Sequence, residues 1–292
     1  MSHPQTRDTI NIEDATILVN DACAGDQYLM RLQAPLTAAE AKPGSFIHLA
    51  CDASLLMRRP MSIMRTDPAA GWIEILYKAH GQGTKLLAQR QPGETINLLG
   101  PIGTPFKLQD YRKQTLLIGG GVGIPPMIFL AEHIKNTARH IRPFVIMGSE
   151  VPFPFTPKPS QLLIAGMPEG TIACMPLLED WHIPCRLTSL QGYAGCYEGY
   201  VTDLARHWLD SLNEAARAEL EVFCCGPTAM LIAVAKLAKQ YDLPCQVSME
   251  EYMACAVGGC AGCVVRVETD SGPVMQRVCV DGPVFDANAV FP

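Results

Sequence analysis

The apolar and polar positions of this chain follow one pattern up to about residue 107 and another beyond it. In the first part, apolar and polar residues alternate in short runs, which are separated by turn residues such as those at 42–44 and 91–93. Such alternation is typical of half-buried strands, and it predicts strands at 16–19, 27–32, 45–50, 72–78 and 94–99. Strands this short and evenly spaced favour a small antiparallel barrel. One short helix is predicted over 84–90, with Thr84 as its N-cap.

From about residue 111 the apolar residues run continuously instead. The runs at 114–118, 143–147 and 221–225 predict strands that are buried on both faces. Helical stretches follow two of these runs, over 125–134 and 228–241. Strands that alternate with helices indicate a parallel α/β sheet. The proline-rich stretch 149–160 predicts a surface loop.

The last part of the chain has a third character. A final strand is predicted over 245–249, and the residues after it are rich in glycine and cysteine. They are too few to bury an apolar core of their own, so a metal cluster is the natural source of their order. The chain is therefore predicted to divide into a barrel domain (1–110), an α/β domain (111–242) and a metal-binding segment (243–292).

Composition and charge exclude several classes of protein. The chain of 292 residues is 48% hydrophobic and 18% charged, which is typical of a globular sequence. Its net charge of −6 is spread without blocks of one sign, so no surface for nucleic acid or anionic lipid is indicated. The N-terminus is too polar for a signal peptide, and the most apolar stretch, 115–131, is interrupted by glycines and prolines. We therefore expect a cytoplasmic protein without a membrane span.

Four of the twelve cysteines have a distinctive spacing. Cys255 and Cys260 are separated by four residues, Cys260 and Cys263 by two, and Cys263 and Cys279 by fifteen. This C-x4-C-x2-C…C arrangement is that of plant-type [2Fe–2S] sites. Glycines inside the loop let backbone N–H groups approach the sulfurs, which stabilises a negatively charged cluster.

Two alternatives to the cluster are a structural zinc site and plain buried cysteines. Zinc sites favour paired C-x2-C units, and only one pair has that spacing here. The absence of histidine from the segment argues against a Rieske centre. A predicted hairpin, with strands at 263–268 and 276–280, returns Cys279 to the other ligands. The remaining eight cysteines lie mostly among apolar neighbours, which is typical of small buried hydrophobes.

Two turns suggest a nucleotide site on the α/β domain. The first buried strand is followed by a run of glycines at Gly119, Gly120, Gly121 and Gly123. Glycines there permit close approach to a phosphate at a helix N-terminus, although a tight strand–helix connection would also use them. A second turn, Cys225-Gly226-Pro227, ends another predicted strand, and ligands of open α/β sheets bind beyond the carboxyl ends of strands.

The barrel contains a second set of candidate ligand-binding residues. Arg59 begins the sequence Arg59-Pro60-Met61-Ser62, and a guanidinium suits a diphosphate because it can make bidentate contacts. Gly83 and Thr84 lie at a predicted helix start, where N–H groups and a hydroxyl are available to a phosphate. Taken singly, each would be a surface arginine or an ordinary helix cap. The stretch Leu76-Tyr77-Lys78 lies between the two.

In this order the motifs resemble the ferredoxin–NADP reductase superfamily: Arg-Pro-x-Ser, Gly-Thr, Gly-Gly-Gly-x-Gly-x-Pro-Pro and Cys-Gly-Pro. The cysteine segment narrows the resemblance to the electron transfer subunits of the NAD-dependent (class 1B) dihydroorotate dehydrogenases, over about residues 12–285. The chain departs from that family by extra length at 151–184, and by Leu190-Gln191-Gly192 where an acidic pair is common.

The resemblance implies three redox groups: FAD on the barrel, NAD(H) on the α/β domain and a [2Fe–2S] cluster on the tail. It implies that the flavin is held by Arg59, Pro60, Met61 and Ser62, lined by Leu76, Tyr77 and Lys78, and bound through its phosphates by Gly83 and Thr84. The nicotinamide would be placed by Gly119, Gly120, Gly121, Gly123, Gly226 and Pro227. Cys225 is a candidate catalytic group beside the nicotinamide, with a packing role as the alternative.

The resemblance also implies a partner, a catalytic subunit carrying FMN, in a heterotetramer that serves pyrimidine biosynthesis. A flavin exchanges two electrons with NAD(H) and single electrons with a cluster, so FAD would connect the two. One alternative is a subunit of an NAD(P)H–ferredoxin oxidoreductase or a sulfide dehydrogenase, where the resemblance implies that aspartate often replaces the first cysteine. Another alternative is a redox-sensing module that has lost turnover. Cys255, and the intact flavin and glycine motifs, favour the dihydroorotate dehydrogenase subunit.

Overall fold

The structure, a computed structural model, describes residues 10–292. The first third of the chain forms six strands: β1 (Asn11–Cys23), β2 (Gln27–Gln33), β3 (Phe46–Leu49), β4 (Arg59–Asp67), β5 (Trp72–Lys78) and β6 (Thr95–Ile102). They close into an antiparallel barrel in the order β1-β2-β5-β4-β3-β6, so the predicted barrel is confirmed. Two short helices interrupt the strands, α1 (Pro35–Glu40) and α2 (Gln82–Leu87).

Two details of the barrel differ from the sequence prediction. The pattern does not predict β4, because its first residues are charged or proline; Pro60 stands near the strand start, where proline is tolerated. Helix α2 begins at Gln82 and has Gly81, not Thr84, as its N-cap. Thr84 lies one turn inside, and its hydroxyl accepts the N–H groups of His80 and Gly81 at 3.1 Å each. Thr84 therefore supplies the N3 half of a capping box, and Gly81 has no side chain to supply the other half.

The remaining strands build a second sheet and two hairpins. They are β7 (Gln114–Gly120), β8 (Arg142–Gly148), β9 (Lys158–Pro159), β10 (Ala173–Cys174), β11 (Cys185–Thr188), β12 (Leu220–Cys225), β13 (Cys245–Ser248), β14 (Val264–Thr269), β15 (Gly272–Arg277) and β16 (Val284–Asp286). The sheet order is β11-β8-β7-β12-β13-β16. Its first five strands are parallel and β16 is antiparallel to β13. The parallel α/β sheet predicted from the continuous apolar runs is thus confirmed.

Helices of this half are α3 (Ile124–Thr137), α4 (Pro176–Asp180), α5 (Val201–Ser211), α6 (Glu214–Ala218), α7 (Thr228–Gln240) and α8 (Ala287–Val290). The sequence pattern does not predict β11 or α5, since β11 has only four residues and follows the extra segment 151–184. The loop predicted at 149–160 is present, but Phe153 is buried there and stacks on Phe155 at 5.4 Å. No helix within residues 10–292 is long and apolar enough to cross a membrane.

The tail is built into the sheet rather than appended to it. Both β13 and β16 are strands of the sheet, so the predicted boundary between 242 and 243 divides it. The chain leaves the sheet after Ser248, forms the cysteine loop and the β14–β15 hairpin, and returns at Val284. Thr104, just after the barrel, donates its N–H to the Gly282 carbonyl at 2.5 Å. The cysteine loop is therefore anchored to the sheet and to the barrel.

Candidate functional site

The structure brings the four predicted cysteine ligands together as two pairs. The thiols of Cys255 and Cys260 lie within hydrogen-bonding reach of each other, as do those of Cys263 and Cys279. Among residues 10–292, no three His, Cys, Asp or Glu side chains converge as they would on a single metal ion. A [2Fe–2S] cluster has two irons, each with two protein ligands, whereas tetrahedral zinc needs all four ligands around one point. The paired arrangement fits a two-iron cluster.

Backbone donors point at the outer cysteine pair. The N–H of Cys260 donates to the Cys255 sulfur, and that of Gly262 donates to the Cys260 sulfur, both at 3.4 Å. Burial alone would raise the pKa of Cys255, but the N–H groups of Cys260 and Val257 lower it to about 7. Ala256, Gly258 and Ala261 adopt positive φ angles that turn these amides toward the sulfurs. The loop therefore stabilises the thiolate of Cys255, the form that binds iron.

The two pairs differ in exposure. Cys263 and Cys279 are 3% and 1% exposed, whereas Cys260 is exposed and Cys255 is half-buried. Burial, together with the neighbouring Cys263 thiol, raises the pKa of Cys279 to about 12. A cluster held by these residues would therefore have an inner edge toward the protein core and an outer edge at the surface.

An ion pair braces the turn that carries the fourth cysteine. Arg277 Nε donates to Asp281 Oδ2 at 2.8 Å, and its Nη2 donates to Oδ1 at 3.0 Å. The same guanidinium donates to the Gly258 carbonyl at 3.2 Å, which ties the turn to the cysteine loop. Sequence reasoning missed this brace, although the spacing of four residues between opposite charges was a usable signal.

The glycine turn and the Cys225-Gly226-Pro227 turn meet at the carboxyl ends of two adjacent strands. Cys225 pairs with Gly119 in the β12–β7 register. β7 connects through α3 to β8 on one side, and β12 connects through α7 to β13 on the other. This reversal is the topological switch point at which ligands bind in open α/β sheets. The structure thus joins the two turns that the sequence singled out.

Close packing of the two turns explains their glycines. A Cβ at Gly123 would overlap the Cys225 carbonyl, and a Cβ at Gly226 would overlap the end of Met230. Gly121 has a φ of +54° and open space on its Cβ side, so its backbone faces the cleft. Gly120 also packs on Met230. The turns therefore present backbone, not side chains, to a ligand beyond the sheet.

Cys225 ends β12 beside the glycine turn and is 1% exposed. Burial, and the nearby carboxylate of Glu250, raise the pKa of its thiol, while a hydrogen bond with Ser248 lowers it. Burial also raises the pKa of Glu250 itself. Sequence reasoning missed Ser248 and Glu250; the usable signal was their place at the carboxyl end of the last parallel strand, beside Cys225.

On the barrel, Arg59 and α2 form a polar corner. A Cβ at Gly83 would come within 3.2 Å of Arg59 Nε, so glycine lets the guanidinium approach the helix start. Arg59 Nη1 donates to the Met57 carbonyl at 2.8 Å and to the Arg58 carbonyl at 3.1 Å. Thr84 holds the same turn through its capping bonds. The corner offers a cation and a helix start to an anionic group.

The other predicted flavin residues lie on two faces of β4 and β5. Met61 and Tyr77 belong to the barrel core, and the Tyr77 hydroxyl donates to Asn20 at 2.9 Å, so only their backbones are available to a ligand. Pro60 and Ser62 flank Met61 in β4 and therefore lie on the outer face of the strand. Leu76 packs against the nucleotide-domain core and Lys78 ends β5, half-exposed.

Comparison with known proteins finds a match for the cysteine segment and relatives over nearly the whole chain. A family model described as the iron-sulfur cluster binding domain of dihydroorotate dehydrogenase B matches residues 250–291. The dihydroorotate dehydrogenase B (NAD(+)) electron transfer subunit of Bacillus caldolyticus is 34% identical over 286 residues, covering 96% of this chain and 99% of that protein. The protein of the same name from Shouchella clausii is 30% identical and covers 94% of this chain and 96% of its own length.

Solved structures show the same fold. A structure of an NADH-dependent reduced ferredoxin-NADP oxidoreductase has a TM-score of 0.76 at 24% identity, covering 95% of this chain and 90% of that chain. A ferredoxin NADP+ reductase from Neisseria gonorrhoeae, with bound FAD and NADP, has a TM-score of 0.58 at 15% identity, covering 79% of this chain and 91% of its own. Barrel and sheet are therefore arranged as in ferredoxin reductases.

Proposed function

Since this chain belongs to the family of dihydroorotate dehydrogenase B (NAD(+)) electron transfer subunits, we propose that it passes electrons between a dihydroorotate-oxidising catalytic subunit and NAD⁺. It would do so through a [2Fe–2S] cluster and FAD, in pyrimidine biosynthesis. When bound, FAD supplies exchange of a hydride with NAD(H), and the cluster supplies exchange of single electrons.

The residues of the chain fit these groups. Cys255, Cys260, Cys263 and Cys279 would hold the cluster, because they form two pairs and the outer pair receives backbone N–H donors. The polar corner of Arg59, Gly83 and Thr84 would hold the flavin diphosphate, with Pro60 and Ser62 on the outer face beside the ring system. The backbones of Met61 and Tyr77, with Leu76 and Lys78, would line it.

The glycine turn and its partner would receive the nicotinamide nucleotide. The backbone of Gly119, Gly120, Gly121 and Gly123 opens α3, and a helix N-terminus attracts phosphate. Gly226 and Pro227 would border the nicotinamide, and Cys225 would lie beneath it. Because that thiol stays protonated, its role would be to pack against the ring rather than to attack it.

The observation that carries the proposal is a shared core between cluster loop and barrel. Phe46 of β3 packs in one cluster of buried residues with Cys263 and Cys279. Phe46 also pairs with Ser62 across β3–β4, on the strand proposed to hold the flavin. The tail that carries the inner cysteine pair is therefore joined to the barrel beside the flavin strand, while Cys260 of the outer pair is at the surface. This order suits a relay from a partner, through the cluster, to the flavin.

The surface around the outer pair suits a protein partner. Tyr252 is 94% exposed, Val257 is 38% exposed, and Cys260 is exposed between apolar and glycine residues. Exposed apolar side chains around a redox group mark a docking surface. We assign this face to the FMN-containing catalytic subunit, two copies of each chain forming a heterotetramer. A cytoplasmic location is part of the proposal, and the twelve free cysteines suit a reducing compartment.

Anaerobic reconstitution tests the cofactors directly. Protein loaded with iron, sulfide and FAD should show flavin absorbance together with the broad long-wavelength bands of a [2Fe–2S] centre, and NADH should bleach both. A colourless protein that binds only zinc would overturn the cofactor assignment. Reduction of ferredoxin, with no dependence on a dihydroorotate-oxidising partner, would instead favour the related NAD(P)H–ferredoxin oxidoreductases.

A further inference from the structure

A buried histidine occupies the junction between the barrel and the cysteine loop. His48 lies on β3 and is 1% exposed. Its neighbours Ile47 and Leu49 point into the barrel core, so the imidazole lies on the outer face of the strand. Phe46, on the same face, packs in the core that contains Cys263. His48 therefore faces the tail, not the barrel interior.

The imidazole has unused hydrogen-bonding capacity. Neither of its ring nitrogens has a hydrogen-bond partner. Leaving such a group unpaired in the interior costs about 1–3 kcal/mol, which a leucine of similar size would avoid. Burial and the charge of Arg58 lower its pKa to about 4, although the nearby backbones of Arg58 and Met253 act in the opposite direction. The ring is therefore neutral, with one N–H to donate and backbone acceptors close by.

The neighbours of His48 belong to both redox sites of the proposed function. Across β3–β4 it pairs with Pro60, on the strand assigned to the flavin. On the tail side it lies by Met253, two residues before the first cluster ligand, Cys255. His48 therefore has neighbours on both the flavin strand and the cluster loop.

We propose that His48 is a positioning residue: a small rotation of its ring lets an N–H donate to the nearby Met253 carbonyl, which clasps the cluster loop against the flavin strand. The clasp fixes the separation of cluster and flavin, and so sets the rate of electron transfer between them. The inference rests on the proposed function only for its electron-transfer consequence, since the clasp itself is a contact between two parts of this chain.

Two substitutions of His48 distinguish the effect of its N–H donor from the effect of its side-chain volume. His48→Leu keeps the volume and removes the N–H, whereas His48→Gln keeps a donor of similar reach. Thr115→Val is the matched control: Thr115 is fully buried and its hydroxyl is also unpartnered, but it lies in β7, within the nucleotide sheet. All three variants are prepared as holoproteins with measured FAD, iron and sulfide contents.

Hydrogen–deuterium exchange of the holoprotein reports on the clasp without requiring turnover. In His48→Leu, exchange of amides around 252–256 should rise about fivefold, the effect of losing one hydrogen bond of about 1 kcal/mol. His48→Gln should restore protection, and Thr115→Val should leave it unchanged. Unchanged exchange in His48→Leu, or a rise that glutamine does not reverse, overturns the clasp.

Rapid mixing with NADH then reports on electron transfer. Flavin reduction should keep its wild-type rate in His48→Leu, while the following reduction of the cluster should slow at least about tenfold, because reaction rates fall steeply with misplacement. Cluster reduction at the wild-type rate overturns the role in electron transfer. If His48→Leu fails to retain the cluster, the test rests on His48→Gln, in which hydrogen–deuterium exchange around 252–256 and the rate of cluster reduction should both be close to wild type. A wild-type cluster that NADH never reduces refutes the proposed function, while the exchange result still decides the clasp.

Discussion

One arginine forms an ion pair between the barrel and the nucleotide domain. Arg65 of β4 donates to Glu132 of α3 through Nε at 3.2 and 3.1 Å and through Nη2 at 2.7 Å. Its Nη1 lies 3.7 Å from Glu74, and its guanidinium covers Trp181 at 5.2 Å. The Arg65 and Glu132 side chains are 23% and 15% exposed. Replacement of Arg65 by methionine keeps the stem packing and removes every one of these charge contacts.

The expected loss lies between two known limits. Exposed ion pairs contribute about 0.2–1 kcal/mol, and removal of one partner from a buried pair costs about 3–5 kcal/mol. For a bidentate pair that is mostly buried, we expect Arg65→Met to lower the free energy of unfolding by about 2–3 kcal/mol. The Michaelis constant for NADH should rise as well, since α3 begins at the glycine turn.

Urea unfolding at neutral pH measures this loss, with Lys113→Met as the matched control. Lys113 pairs with Glu219 at 3.0 Å, but both side chains are well exposed, so its loss should cost less than about 1 kcal/mol. A similar shift of the urea midpoint in both variants would show that the Arg65 contacts do not hold the domains together.

Three further predictions concern the site and the core. Cys263→Ser should abolish the cluster absorbance while FAD stays bound, whereas Cys23→Ser, remote from the loop, should keep both; unchanged iron and sulfide contents in Cys263→Ser would contradict the ligand assignment. Gly123→Ala should raise the Michaelis constant for NADH at least about tenfold, because the new Cβ would displace the Cys225 carbonyl. FAD and the cluster should be retained. Steady-state kinetics with a dye acceptor measures the Michaelis constant, and an unchanged value would refute the prediction. Burial raises the pKa of Glu221 to about 7, so the native state binds an extra proton; its stability contribution is complete below the unfolded-state pKa and is lost as pH rises through about 7. Glu221→Gln should therefore remove about 3 kcal/mol of stability change between pH 4.5 and 8 in urea titrations, and a persistent change would exclude Glu221 as its source.

The fold class of each domain can be predicted from the sequence because the periodicity of apolar residues within single strands and helices is strong. Continuous apolar runs such as 114–118 and 221–225 can only be buried on both faces, which places them inside a parallel sheet. The pattern does not predict β4, because Arg59 and Pro60 mask its alternation of apolar and polar residues. It does not predict β11 either, because that strand has only four residues. Their positions are fixed by neighbouring strands, which no local pattern reports.

The candidate site likewise has features that the sequence predicts and features that depend on the tertiary fold. Spacing alone predicts Cys255, Cys260, Cys263 and Cys279 as ligands, because covalent ligation demands a fixed local geometry. Their division into an inner and an outer pair depends on how the β14–β15 hairpin returns to the sheet, which is a long-range property. His48, Ser248 and Glu250 have no motif at all; they matter through neighbours that are distant in sequence.

The central claim, that this chain links dihydroorotate oxidation to NAD⁺, is tested most directly by one assay. The chain is co-purified with a dihydroorotate dehydrogenase catalytic subunit of its family, and NADH formation from NAD⁺ is followed anaerobically after addition of dihydroorotate. We predict NADH formation that requires both chains and is lost with Cys263→Ser, although that variant keeps its FAD. NADH formation that persists in Cys263→Ser, or its absence from a wild-type complex with all cofactors present, would contradict the account.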